Sequence, residues 1–196
     1  MAKFQVNAAL QAKIATPFEG LSEKLLTQHF ELYKGYVANA NTLLEEIETK
    51  KIAGPSLADR RRRLGFELNG IFLHELYFEN ITPKNTTPSA ETKDALGKAF
   101  GGFEKFIDEL KDTAKTRGVG WAVVSYDKIL GRVHVGWQEE HHFGGAFVGV
   151  PPVLVVDCWE HAYITDYGAT GRGGYVEAVV KRIDWDVVGE RLKRAK

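Results

Sequence analysis

The chain has 196 residues, and its 26 lysines and arginines balance 26 aspartates and glutamates, so the formal net charge at pH 7 is zero. This length suffices for one domain or two small ones, and the balanced charge argues against nucleic acid as a partner and against an acidic disordered chain. No apolar run reaches the ~18 residues that a membrane span needs, and residues 1–13 lack a signal-peptide layout, so we expect no membrane partner and a cytoplasmic location.

The first part of the chain predicts a long helix. Residues 1–20 show no clear period, but Ser22 is a good N-cap and Glu23 suits a first turn. Apolar residues then recur at helical spacing, at Leu25, Leu26, Phe30, Tyr33 and Val37. The pattern continues to Ile47 before Gly54-Pro55 ends it, which indicates one long helix.

A second helix is predicted over Leu64–Tyr77, opened by the four arginines Arg60–Arg63. The arginine run fits either an anion-binding patch or a solvated first turn, and the second interpretation is favoured because no aromatic residue interleaves with it. His74 falls on the apolar face of this helix. A lone histidine there is usually a core residue, so only partners elsewhere in the chain would make it a ligand.

The turn-rich segment Ile81–Pro88 is the best candidate boundary in the chain. We expect a helical-hairpin domain over residues 1–85 and a second domain over residues 86–196. The second domain opens with a helical pattern over Ser89–Lys115, with Ser89 as the cap and an apolar stripe that continues past Gly101-Gly102.

After Gly118 the hydrophobic period changes to two, which predicts strands. Trp121–Tyr126 and Arg132–Trp137 are joined by a short hairpin loop, Asp127–Gly131. A polar, glycine-rich connection over Gln138–Gly149 follows.

The chain closes with two helical segments, Tyr175–Arg182 and Asp184–Arg194. Helices, then a small antiparallel sheet, then helices make an α+β fold.

The run Val153–Asp157 predicts a buried strand that ends in an acid, with His161 four residues further on. A carboxylate leaving a buried strand needs a compensating partner. A helix N-cap, an internal ion pair or a shared metal ion would each serve, and the spacing alone does not choose among them. The single cysteine, Cys158, cannot form an internal disulfide, and its apolar surroundings favour a core role in a reducing cytoplasm.

Several motifs dispersed over nearly the whole chain resemble those of one family. The most specific is the run Asp157-Cys158-Trp159-Glu160-His161-Ala162-Tyr163. Supporting motifs are Lys34-Gly35-Tyr36-Val37, the block Asn69-Gly70 with Leu73-His74, Gly118 with Gly120-Trp121, and Asp184-Trp185. In this order they resemble the iron/manganese superoxide dismutase family.

The resemblance implies a mononuclear metal site held by His29, His74, Asp157 and His161. Three neutral imidazoles and one carboxylate suit one iron or manganese ion per subunit, with a position left for solvent, and iron is preferred here. The implied activity is that of an oxidoreductase, which converts superoxide to dioxygen and hydrogen peroxide by alternating the oxidation state of the ion.

The first helix departs from the family pattern by one lost residue between His29 and Tyr36. Counted forward from Ser22, His29 takes the first ligand position; counted back from Tyr36, Gln28 takes it. Family members carry a one-residue π-type bulge here. Our hypothesis is that the helix is regular across Phe30–Tyr36 and that His29 still reaches the metal; the rival is a degraded site with Gln28 facing inward.

Further roles follow from the resemblance. Tyr36 corresponds to a gateway tyrosine that helps to supply protons. Gly70 stands where some members have a glutamine, so His142 is expected to hydrogen-bond the metal's solvent, with His141 and Gln138 as alternatives.

Other family positions would surround the metal or join subunits. Trp121 and Trp159 would form an apolar shell, with Tyr163 completing the motif. Glu160 would bind the ligand histidine of a second subunit, which implies a homodimer and allows a tetramer.

Two alternatives come from other classes. The lost residue, together with Leu32 or Tyr33 where members carry a histidine beside the gateway tyrosine, is compatible with a non-catalytic metal-binding homodimer. Two histidines and one carboxylate also suit a mononuclear iron oxygenase, but the bulky residues expected around the metal argue against a large substrate pocket.

Overall fold

The structure of the chain is a computed structural model that describes residues 3–49, 52–144 and 150–196. Helices precede a small antiparallel sheet and further helices follow it, so the expected α+β fold is confirmed. The α helices are Ala8–Ile14 (α1), Glu23–Thr49 (α2), Gly54–Glu79 (α3), Ala90–Gly97 (α4), Phe103–Ala114 (α5), Ile164–Tyr167 (α6), Arg172–Lys181 (α7) and Trp185–Ala195 (α8). The strands are Gly120–Asp127 (β1), Arg132–Glu139 (β2), Phe143–Gly144 (β3) and Pro152–Asp157 (β4), and a 3₁₀ turn spans Glu160–Ala162. In this part of the chain, no helix is both long and apolar enough to cross a bilayer.

The two long helices, α2 and α3, pack against each other as a hairpin. The Ser22 hydroxyl accepts a hydrogen bond from the Leu25 N–H at 3.1 Å, which caps α2 as predicted. Helix α2 then continues without interruption to Thr49, so the prediction of one long helix is confirmed.

Helix α3 begins earlier than predicted. It opens at Gly54 with Pro55 in its first turn, where the missing N–H of proline costs nothing. The run Arg60–Arg63 therefore lies within the helix. Residues 54–63 were not recognised as helical because Leu57 is their only large apolar residue, so they carry no apolar stripe.

Helix α1 was missed by the sequence analysis. Asn7 caps it by accepting hydrogen bonds from the Ala9 and Leu10 N–H groups at 3.1 and 3.3 Å. Only Leu10 and Ile14 are buried among its seven residues. A helix this short shows its apolar repeat once, which is too little to define a period.

The predicted single helix over Ser89–Lys115 is wrong, because the segment divides into α4 and α5. Ser89 caps α4 as expected, accepting from the Thr92 N–H at 3.2 Å. Gly101 and Gly102 then adopt φ values of 81° and 138°, a backbone conformation that ends a helix. The apolar residues on either side share a helical spacing although a turn separates them.

The sheet has the strand order β3-β2-β1-β4, and all its pairings are antiparallel. The predicted hairpin of β1 and β2 and the buried strand β4 are confirmed. In the register of β1 and β4, Trp121 lies opposite Asp157. The predicted connection 138–149 begins later, because β2 extends to Glu139 and β3 adds a short strand; residues 145–149 lie outside the described residues.

A single buried asparagine joins the helical hairpin to the sheet. Asn80 follows α3 directly and is fully buried. Its amide donates to the Val155 carbonyl at 3.2 Å and its side-chain oxygen accepts from the Val155 N–H at 3.0 Å. Since β4 is an edge strand, this side chain satisfies backbone groups that the sheet leaves open.

We predict that Asn80→Ala lowers the free energy of unfolding by about 2–4 kcal/mol, because it leaves a buried N–H and a buried carbonyl of β4 unsatisfied. Urea denaturation followed by circular dichroism measures this. Asn85→Ala is the matched control, since Asn85 is exposed and its replacement should change the value by less than about 0.5 kcal/mol. Equal effects of the two substitutions would contradict the assigned role of Asn80.

Candidate metal centre

Four side chains from distant parts of the chain meet at the junction of the helical hairpin and the sheet. His29 lies on α2, His74 on α3, Asp157 at the end of β4 and His161 in the following 3₁₀ turn. Their candidate ligand atoms all lie within 4.8 Å of one another. His29, His74 and Asp157 are completely buried, while the His161 side chain is 18% exposed.

One carboxylate oxygen is the centre of this cluster. The Oδ2 atom of Asp157 lies 2.9 Å from His29 Nε2 and 3.1 Å from His161 Nε2. His74 Nε2 lies 3.6 Å from the same oxygen. The other carboxylate oxygen, Oδ1, accepts the backbone N–H of Trp159 at 2.9 Å, which fixes the orientation of the carboxylate.

The regular geometry of helix α2 accounts for the position of His29. Helix α2 is continuous α helix across residues 30–36, as the hypothesis of a lost bulge requires. Gln28 is exposed, and its side-chain oxygen accepts a hydrogen bond from the Thr165 hydroxyl at 2.7 Å. His29 and Tyr36 are seven residues apart, close to two helical turns, so both face the cluster. The one-residue loss is therefore absorbed within the helix.

The tautomer of His74 shows that the cluster fits a cation. The Nδ1 atom of His74 lies 2.7 Å from the Gly70 carbonyl oxygen, which can only accept, so Nδ1 carries the proton. In the neutral ring Nε2 then presents a lone pair, and this buried atom has no hydrogen-bond partner among the described residues. A lone pair facing the Asp157 oxygen is repulsive unless a positive ion lies between them. The mixed N and O donor set suits iron or manganese.

Burial and mutual contacts set the protonation states that metal ligands need. Burial lowers the pKa of His29 and lowers that of His74 well below its usual value, which favours the neutral imidazoles. Burial alone raises the pKa of Asp157, but its contacts with His161 and His29 outweigh this and hold the pKa well below the ordinary value. Neutral imidazoles and an ionised carboxylate are the forms that bind a metal.

A hydrogen-bonded arm extends from the cluster through His141. The Trp121 Nε1–H donates to His141 Nδ1 at 3.0 Å, and His141 Nε2 lies 2.9 Å from the Tyr36 hydroxyl. Burial lowers the pKa of His141 to about 4, so the ring is neutral at pH 7. Its Nδ1 accepts, and its Nε2–H therefore donates to the Tyr36 oxygen. The proton of the Tyr36 hydroxyl is left to point elsewhere.

The three residues considered for the hydrogen bond to the metal's solvent, His142, His141 and Gln138, have different surroundings. His141 is buried and contacts Tyr36 and Trp121, whereas the His142 ring packs edge-on against Phe66 at 5.4 Å. Gln138 is buried, and its amide donates to the His141 backbone carbonyl. The structure places His141 beside Tyr36, and no sequence feature distinguishes two adjacent histidines in a loop.

The aromatic shell surrounds the cluster as expected. Trp121 is fully buried with its ring 5.0 Å from that of His74. Trp159 stacks on His141 at 4.6 Å and on His161 at 5.6 Å.

The remaining motif residues lie at the edge of the cluster. Tyr163 is buried beneath the Arg172 guanidinium, which is 5.4 Å from the ring centre, and Glu160 is exposed. Burial raises the pKa of Cys158 to about 12, consistent with the predicted core role.

Gly70 was not recognised as a structural requirement of the site. A Cβ atom at this position would lie 2.7 Å from Cδ1 and 2.8 Å from Cγ of Tyr36. The Tyr36 ring thus rests directly on the backbone of α3, beside the carbonyl that orients His74.

Comparisons with known proteins agree with these features. The sequence profile described as "Iron/manganese superoxide dismutases, C-terminal domain" matches residues 88–191. The chain is 36% identical over 187 residues to the superoxide dismutase (Fe) of Aquifex pyrophilus, covering 90% of this chain and 86% of the relative. It is 36% identical over 182 residues to the superoxide dismutase (Mn/Fe) of Aeropyrum pernix, covering 89% and 84%. The superoxide dismutase (Mn) 2 of Haloferax volcanii is 31% identical over 179 residues, covering 89% and 88%.

We predict that Gly70→Ala displaces the Tyr36 ring and lowers the free energy of unfolding by about 1–3 kcal/mol, because the added methyl group overpacks the contact. Chemical denaturation and a crystal structure of the variant measure the two effects. Gly65→Ala is the control: it lies on the same helix, a Cβ there meets nothing within 4 Å, and alanine should raise stability by about 0.5–1 kcal/mol. A neutral Gly70→Ala with Tyr36 in place would contradict this account.

Proposed function

Since the chain belongs to the iron/manganese superoxide dismutase family, we propose that His29, His74, Asp157 and His161 hold its one redox-active iron or manganese ion. The chain is an oxidoreductase that converts two superoxide anions and two protons into dioxygen and hydrogen peroxide. An iron or manganese ion held by these four residues would supply the one-electron redox chemistry of the reaction.

One observation carries the ligand assignment. Three imidazole Nε2 atoms surround a single oxygen of Asp157 at 2.9 to 3.6 Å in a site that is almost closed to water. One carboxylate reduces the charge of the ion by one, which keeps two adjacent oxidation states accessible. The buried lone pair of His74 supports a cation at the same place.

Tyr36 and His141 form the proton-handling arm of the proposal. His141 donates to the Tyr36 oxygen and thereby orients the hydroxyl, so that its proton is available to an acceptor inside the site. Burial raises the pKa of Tyr36, which keeps the hydroxyl protonated at neutral pH. Tyr36 is partly exposed and can recover a proton from solvent. We assign this orienting role to His141, in place of the contact with metal-bound solvent first expected of His142.

The metal is iron or manganese, and we favour iron. The relatives carry Fe, Mn/Fe and Mn designations at similar identity, so the family alone does not choose. The ligand atoms are the same for both metals. Because hydrogen bonds near the metal set the redox potential, the Trp121–His141–Tyr36 chain is the part of the site on which the choice depends.

The non-catalytic alternative is not favoured. It was motivated by the residue lost between His29 and Tyr36, and the regular helix keeps both residues at the cluster. The oxygenase alternative needs a pocket for an organic substrate, whereas aromatic rings fill the surroundings of the four residues.

Three finer points complete the proposal. Glu160 is exposed beside His161, which suits pairing with the ligand histidine of a second subunit and hence a homodimer, and the same pairing is compatible with a tetramer. We place the enzyme in the cytoplasm, where the single buried thiol of Cys158 is compatible with reducing conditions. Residues 1–85 and 86–196 are proposed as two domains that meet at the metal.

We predict that His29→Ala lowers the affinity for iron or manganese by at least about tenfold and abolishes superoxide consumption, because one of four ligands is lost. Elemental analysis of purified protein, paired with a superoxide-consumption assay, measures both. Gln28→Ala is the control and should retain metal and activity, since Gln28 faces solvent. Metal loss in Gln28→Ala but not in His29→Ala would favour the rival assignment.

We further predict that His141→Ala and Tyr36→Phe each reduce turnover by about 100-fold while the metal content is retained, because positioned proton transfer commonly contributes on the order of 10²–10⁴-fold. The double variant should be no slower than the slower single variant, since both act on the same hydroxyl. His142→Ala is the control, with activity within about twofold of the wild type. Pulse radiolysis gives the rates, and a larger loss in His142→Ala would return the role to His142.

A further inference from the structure

The residues of the metal centre differ in their exposure to solvent. His29, His74 and Asp157 are fully buried. Tyr36, Trp159 and His161 are partly exposed. The partly exposed Tyr36 is therefore one place at which an anion can approach the ligands from solvent.

A column of side chains leads from Tyr36 to an arginine of α3. The His141 ring, which contacts Tyr36, lies 4.5 Å from the ring of Phe66. The Phe66 ring is in turn 3.7 Å from the Cζ atom of Arg63, whose guanidinium covers it. The Phe66 ring also lies 6.0 Å from that of Tyr36. The Arg63 guanidinium is thus separated by one side chain, Phe66, from His141, the residue that orients the Tyr36 hydroxyl.

A hydrogen bond to the buried Glu67 fixes the orientation of Arg63. Its Nε–H donates to Oε1 of Glu67 at 2.9 Å. The Glu67 side chain is 3% exposed and that of Arg63 is 52% exposed, so the pair presents its positive end to solvent. The terminal amino groups of Arg63 make no hydrogen bond to the described residues. The two terminal NH2 groups of this oriented guanidinium are therefore available to donate hydrogen bonds to a small anion.

The other arginines of the run differ from Arg63. Arg60 is bound to Glu46 at 2.6 Å on the neighbouring helix. Arg62 is 76% exposed, and its nearest carboxylate is that of Asp59 at 3.9 Å. Neither contacts an aromatic ring of the site among the described residues. The sequence run as a whole is a solvated helix surface, and one member of it faces the metal centre.

The positive charge of Arg63 affects two groups of the site, Tyr36 and His141. Burial raises the pKa of Tyr36 and lowers that of His141, and in both cases the positive charge of Arg63 acts to lower the pKa. The guanidinium is thus electrostatically coupled to both groups.

We propose that Arg63 is the residue that attracts the superoxide anion to the solvent-facing side of the metal site, beside Tyr36. The inference rests on the proposed function, because it presumes that the four-residue cluster is where superoxide reacts. A cation beside a cleft with low-dielectric walls concentrates an anionic substrate and raises the rate of encounter. Arg63 acts on encounter and not on the chemical step.

The test compares Arg63→Gln and Arg63→Lys with Arg62→Gln, using metal-loaded protein and matched metal content. Arg63→Gln should lower kcat/KM for superoxide by about threefold to tenfold at low ionic strength, with kcat nearly unchanged. The loss should shrink as salt is added, because the Debye length falls to about 10 Å at 0.1 M. Arg63→Lys keeps the charge and should stay within about twofold of the wild type. Arg62→Gln removes an equal charge from the same run and should have the smaller effect.

A second measurement does not depend on turnover. Azide is a small univalent anion, and its dissociation constant can be measured by optical titration of the metal-loaded protein. Arg63→Gln should weaken azide binding by about threefold, and Arg63→Lys and Arg62→Gln should not.

Two results would overturn the proposal. If Arg63→Gln and Arg62→Gln have equal effects, the charge of the run acts without a specific site. If Arg63→Lys is as impaired as Arg63→Gln and kcat falls with no change in salt dependence, Arg63 only packs on Phe66. A wild-type protein that binds metal without consuming superoxide would instead refute the proposed function, so the two failures are distinguishable.

Discussion

The structure depends on a carboxylate that has been removed from water and placed among three imidazoles. Asp157 ends a strand that is buried from Val153 onward, and an uncompensated charge there would cost several kcal/mol. Its two oxygens are satisfied by different means: a backbone N–H holds Oδ1, and His29, His161 and His74 face Oδ2. The protein thereby holds Oδ2 of Asp157 in the position of a metal ligand. A cation bound there would offset the repulsion between this oxygen and the imidazole lone pairs.

Helices α2 and α3 reach this centre because two requirements are met together: α2 is regular, and α3 has a glycine where the Tyr36 ring contacts it. A regular α2 puts His29 and Tyr36 two turns apart on one face. Gly70 lets the Tyr36 ring rest on α3 while its carbonyl orients His74. One close helix contact thus fixes the positions of His74 and of the Tyr36 ring. The spacing along a regular helix keeps His29 and Tyr36 at the cluster without the bulge expected from the family resemblance.

The junction between hairpin and sheet carries both stability and function. Asn80 completes the open edge of β4, the strand that delivers Asp157. Trp121 lies opposite Asp157 in the sheet and reaches His141 through its indole N–H. Arg63 reaches the same group of residues from the solvent side, through Phe66. The fold therefore surrounds one buried charge with successive layers of side chains, from the ligands through His141 and Phe66 to Arg63 at the surface.

The amino-acid sequence by itself determined the α+β fold, the long first helix, the hairpin of β1 and β2, and the family to which the four candidate ligands belong, because these follow from hydrophobic period and from motifs read along the chain. It did not reveal α1, whose single apolar repeat defines no period, or the break at Gly101-Gly102, where the stripe continues across a turn. Only the tertiary structure decided between His29 and Gln28 at the cluster, between His141 and His142 beside Tyr36, and among the four arginines. A sequence pattern does not distinguish neighbouring residues that could each fill one position of a site. They differ in the direction in which the folded backbone points each side chain.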